Sequence, residues 1–66
     1  MQTINFDKPQ LAFVRSGAGD PTARHRVDGV TKVELEAGNT VFYSRGDKPL
    51  AVLTAGPWII EFQKEI

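Results

Sequence analysis

The sequence predicts a small all-β domain, a barrel or sandwich of about six short, mostly antiparallel strands. Glycine and proline recur at Pro9, Gly17–Pro21, Gly29, Gly38, Gly46–Pro49 and Gly56–Pro57, a spacing that punctuates short strands. No interval between these breakers comfortably holds a helix of average length, about 11–12 residues. The residues in between are rich in β-branched and aromatic side chains, which suit a pleated, half-buried surface.

Taken in order, Gln2–Phe6 reads as a strand with Ile4 and Phe6 inward. Gln10–Arg15 is a second, with Leu11 and Phe13 on one side and Ala12 and Val14 on the other. Ser16–Ala23 is a glycine-rich loop. Arg24–Val30 contains Asp28-Gly29, a hairpin signal. A strict two-residue turn there puts Val30 and Lys32 on one face, out of phase with Val33 and Leu35, so a bulge or irregular turn is expected near Asp28-Gly29.

Thr31–Ala37 alternates clearly, with Val33, Leu35 and Ala37 opposing Lys32, Glu34 and Glu36. Ala37-Gly38-Asn39-Thr40 supplies a turn in which glycine and asparagine can take positive φ. Val41–Arg45 follows, closed by Gly46–Pro49, and then Leu50–Thr54, closed by Ala55–Pro57. In Trp58–Ile66, Trp58, Ile60, Phe62 and Ile66 share a face opposite Glu61, Gln63 and Glu65. The expected core is Phe6, Phe13, Val33, Leu35, Val41, Leu50, Val52, Trp58, Ile60 and Phe62, with Trp58→Ala as a decisive substitution expected to cost about 3–5 kcal/mol.

The run from Val33 to Val41 resembles the strand–turn–strand phrase of jelly-roll and carbohydrate-binding sandwiches, and equally that of small SH3-like barrels. It covers nine of 66 residues, describes a turn, and assigns no family.

A chain of 66 residues reads as a single domain spanning 1–66. At this length burial and ordering entropy nearly cancel, and small proteins commonly rely on disulfides, metals or self-association. With no cysteine and one histidine, disulfides, thiolate zinc and multi-histidine metal sites are excluded. No cofactor is expected. Eight Lys and Arg balance eight Asp and Glu, which argues against a strongly electrostatic role on nucleic acid or membrane surfaces. The apolar runs are too short to span a bilayer, and the N-terminus lacks a secretory pattern, so a complete, soluble, cytoplasmic product is expected.

The candidate chemistry is sparse. Ser16–Thr22 has glycines like a phosphate cradle, but no Gly-Lys-Ser/Thr follows and no helix begins there. Arg15, Arg24, His25 and Arg26 form the one basic concentration, a candidate ligand-binding set with Phe13, Phe42 or Tyr43 available to stack on bases. Asp20 and Asp28 lie nearby in sequence to balance it. His25 has a useful pKa for a general base, but Ser16 and Ser44 sit in no nucleophile elbow. Glu34 and Glu36 lie about 7 Å apart along a strand, on a face that reads as solvated. No catalytic residue is assigned and no enzymatic activity is expected.

Several strands are apolar on both faces. If Val14, Phe42, Leu53 and Ile59 cluster on the outside, they form a candidate interface, since monomers rarely expose a large apolar patch unused. The expected function is therefore a non-enzymatic protein-interaction, assembly or structural module, whose partner is itself, as a homodimer, or another protein. The alternative is a module binding single-stranded nucleic acid, with carbohydrate a lesser variant. A compact monomer whose N-terminal segment covers the second face is the rival to the dimer.

Overall fold

Two long strands carry the sheet. The computed structural model describes residues 2–18 and 24–64, and within them lie five strands: β1 (Gln2–Ser16), β2 (His25–Glu36), β3 (Asn39–Ser44), β4 (Lys48–Leu53) and β5 (Trp58–Lys64). All pairings are antiparallel, in the order β4-β3-β2-β1-β5. There are five strands and not about six, because two breakers act as bulges inside strands. Between the pairs Asn5–Lys32 and Gln10–Val30, β1 advances five residues while β2 advances two. The surplus includes Pro9, which has no N–H to give a ladder. Between Gln10–Val30 and Ala12–Val27, β2 carries the extra residue. Gly29, at φ 75°, supplies the left-handed backbone, so the irregularity expected at Asp28-Gly29 is present.

These bulges bend the sheet over on itself. Strands three places apart in a flat sheet lie about 14 Å apart, at ~4.8 Å per neighbour, yet the rings of Phe62 on β5 and Phe42 on β3 are 6.4 Å apart. Phe6, beside the β1 bulge, meets Phe62 at 5.0 Å. The shortest dimension of the Cα trace is 14 Å, room for two layers at the usual ~10 Å face-to-face spacing. No ladder joins β4 to β5, so the described sheet is open and not a closed barrel. Residues 54–57 nonetheless connect these opposite edges.

Ala12, Val14, Val30, Val33 and Phe42 are buried between the two halves, with Phe6, Val27, Ala51, Leu53, Trp58, Ile60 and Phe62 packed around them. Several core assignments need correction. On β1 the buried face carries Ala12 and Val14, and Phe13 is only half-buried on the other side. On β3 Phe42 replaces Val41. On β4 Ala51 and Leu53 turn inward, leaving Leu50 41% and Val52 59% exposed. Val33, Trp58, Ile60 and Phe62 lie where their alternation puts them and Phe6 packs on the core, while Leu35 is half-buried outside that cluster. Gly19–Ala23 of the glycine-rich loop, and Glu65 and Ile66 of the last strand, lie outside the described residues.

The β2–β3 connection sets the phase of the second half. Glu36 pairs with Asn39, leaving the two-residue loop Ala37-Gly38, at φ 51° and 80°. Positive φ at both positions is the type I′ turn, which matches the twist of the strands it joins. Ala37 sits in this turn and not on the inward face of its strand. Alanine is a poor residue for left-handed backbone, which costs an L-residue about 1–2 kcal/mol. Ala37→Asn, creating Asn-Gly, is expected to raise stability by about 0.5–1 kcal/mol, read as a higher urea midpoint at unchanged m-value.

Candidate functional site

The outer face of the sheet holds two of the four candidate ligand-binding residues, Arg15 and Arg26. Cross-strand partners share a face, and Phe13 on β1 lies between Arg26 on β2 and Glu61 on β5. Arg15 is two residues along β1 on the same side, so the fold gathers Arg15, Phe13 and Arg26. His25 pairs with Val14 and belongs to the opposite face, because adjacent strand residues alternate. Arg24 precedes β2 and is exposed. The basic concentration read in the sequence is thus divided by the pleat.

The two gathered arginines have acidic neighbours. Arg26 Nε donates to Asp28 Oδ1 at 2.8 Å, and Arg15 Nε lies 4.0 Å from Glu61 Oε1. Ser16 Oγ donates to the Ala18 carbonyl at 2.7 Å, a local bond that leaves its hydroxyl proton committed to the backbone. Among the described residues, no group of three or more His, Asp or Glu side chains is placed to hold a metal ion. Nor is any helix there long and apolar enough to cross a membrane.

The candidate interface is also redistributed. Val14 and Phe42 are 1% and 0% exposed, which corrects their assignment to an outer patch. They face the interior because each is opposite an inward residue, Ile60 for Val14 and Val33 for Phe42. Leu53 packs against the core, while Ile59 is exposed. The outer apolar surface includes instead Val41 beside Val52, with Leu50 exposed nearby, and Ile4, expected inward, is 42% exposed.

A charged cluster that the sequence reading did not assemble lies next to this surface. Lys32 Nζ is 2.7 Å from Asp47 Oδ1 and 3.3 Å from Glu34 Oε1, and it sits 4.5 Å above the Tyr43 ring. The two-residue turn brings Tyr43 opposite Lys32, and the turn at Gly46 brings Asp47 within reach. Glu34 is therefore an ion-pair partner here, with Glu36 exposed at the strand end.

The Asp47 hydrogen bond leads in raising the Lys32 pKa above 10.5, partial desolvation opposes it, and Glu34 adds to the rise. A raised folded-state pKa contributes stability that is fully present below the unfolded value and is lost as pH climbs through the folded one. The stability difference between wild type and Lys32→Met is therefore expected to hold at neutral pH and shrink above pH 10.5. Paired urea titrations across that range measure it.

An open pocket of about 240 Å³ at the β1 bulge is lined by Phe6, Asp7, Lys8, Gln10 and Lys64. It is smaller than the roughly 300–1,000 Å³ of ordinary small-molecule sites, and it includes none of the candidate ligand-binding or interface residues. Comparison with family models, curated proteins and solved structures finds no match for this chain.

Proposed function

We propose that this protein is a non-enzymatic interaction or assembly module that works by joining copies of itself, in the simplest form a homodimer. The observation that carries this reading is the edge strand β4, which carries no charge from Pro49 to Leu53. Within it Leu50 and Val52 are 41% and 59% exposed. Elsewhere on the outer face, charges sit in opposed pairs, Arg15 with Glu61, Arg26 with Asp28, and Lys32 with Glu34 and Asp47. On this reading the curled sheet acts as a small barrel whose seam stays open at β4. Association that favours the folded form raises stability by mass action. The melting temperature is therefore expected to rise with protein concentration, and a concentration-independent value would refute the proposal.

A second reading rests on Phe13 standing on the same face as Arg15 and Arg26, which resembles a stacking platform for single-stranded nucleic acid. Carboxylates beside both arginines oppose it, because phosphate would have to displace them. A gel-shift series with single-stranded DNA is expected to show no binding even at low salt. Binding that falls steeply with salt, and is lost in the Arg24→Ala/Arg26→Ala double variant, would establish the nucleic-acid reading instead.

A further inference from the structure

We propose that β4 is the edge through which the protein self-associates. It pairs antiparallel with β4 of a second copy about a two-fold axis at Val52, whose N–H and C=O exchange hydrogen bonds with those of Val52 in that copy. This deepens the self-association reading and rests on it.

The direction of the Val52 backbone follows from the β2–β3 turn. In a two-residue hairpin the flanking residues, here Glu36 and Asn39, exchange both hydrogen bonds, and bonded and non-bonded pairs then alternate. Leu35–Thr40 is therefore non-bonded and Glu34–Val41 bonded, so the backbone groups of Val41 point to β2. Those of Thr40 and Phe42 point to β4, where they meet Leu53 and Ala51. Val52 lies opposite Val41 in a non-bonded pair. Its N–H and C=O point away from β3, out of the sheet edge.

The chemistry of β4 selects a second copy as the occupant. With Val52 on the axis, Ala51 faces Leu53 and Leu50 faces Thr54 of the other copy, and no like charges oppose each other. Pro49, which lacks an N–H, ends the ladder before Lys48. Val52 then meets its mate on the outer face, extending the Val41–Val52 row into four valines. Natural edge strands are usually blunted by charges, bulges or cover, and β4 has no charge from Pro49 to Leu53. The other edge, β5, carries Glu61 exposed at its centre, a charge of the kind that blunts an edge strand. A five-residue edge buries less than the roughly 1,600 Å² of a standard interface, so the association is concentration-dependent and not obligate.

Sedimentation velocity over a concentration series tests this on wild type, Val52→Lys and Ile59→Lys. Wild type is expected to shift from monomer toward dimer, Val52→Lys to weaken the dimer at least tenfold, and Ile59→Lys to leave it unchanged. The chain has no cysteine, so cross-linking gives an independent reading that survives a misfolded lysine variant. Bonded antiparallel pairs have Cα atoms about 5.5 Å apart, within disulfide reach. Val52→Cys is therefore expected to form a covalent dimer under air oxidation faster than Ile59→Cys. A dimer that withstands Val52→Lys, with no preferential cross-link at 52, overturns the β4 edge while self-association stands. A wild-type monomer at every concentration overturns both.

Discussion

Replacing Phe42 with alanine is expected to cost about 3–5 kcal/mol and leave much of the protein unfolded at room temperature. A domain of this length has roughly 3–10 kcal/mol in all, at ~0.05–0.15 kcal/mol per residue. Phe42 is 0% exposed, stands between Val33 and Ala51 on the neighbouring strands, and meets the Phe62 ring edge-on across the core. Truncation removes that packing and opens a cavity where the two halves of the sheet face each other. The half-buried Val41, one residue earlier, is the control: Val41→Thr is expected to cost less than about 1 kcal/mol. Urea titrations followed by circular dichroism compare them. The reverse ranking would mean that β3 is shifted by one residue, because such a slip exchanges every side chain between faces.

That same residue shows how far the sequence could be read. The all-β class followed from breaker spacing, and the inward placing of Trp58, Ile60, Phe62 and Val33 followed from alternation with charges. Strand β3 has no such marker. Val41, Phe42 and Tyr43 are all large and apolar or aromatic, so hydrophobicity cannot choose a face. Turn length can: with Ala37-Gly38 as a two-residue loop, Val33 must oppose Phe42, and Lys32 must oppose Tyr43. The interior position of Phe42 and half of the Lys32 cluster were implied by that one connection. Strand β1 gave no equivalent clue. Ala12 and Val14 lie inside because they pair with the inward Phe62 and Ile60 of β5, a long-range pairing that the residues of β1 alone do not reveal. The pleat divides the arginine set for a local reason: consecutive residues on a strand cannot share a face.

Trp58→Ala is expected to cost about 3 kcal/mol, the lower end of the range for a large aromatic, because its ring is half-buried. Its effect reaches beyond packing. The indole Nε1 donates to the Thr54 carbonyl at 2.7 Å, folding the segment that joins the two edge strands. The far end of that segment is tied to β1 by a hydrogen bond from Gly17 N–H to the Pro57 carbonyl. A Cβ at Gly17 would lie 2.8 Å from that oxygen, so the approach depends on glycine. Trp58→Phe keeps a ring and loses the indole hydrogen bond, for an expected cost of about 1 kcal/mol. Both variants lack the sole tryptophan, so far-UV circular dichroism must follow the urea titration. Equal costs for alanine and phenylalanine would assign the whole effect to the hydrogen bond and overturn the packing role. If the segment holds β4 and β5 in one folded unit, Trp58→Ala lowers the midpoint without changing the m-value. Loss of Trp58 then loosens the packing around the core and the start of β5 together, because Trp58 both packs on that core and ties down the four-residue connection from β4.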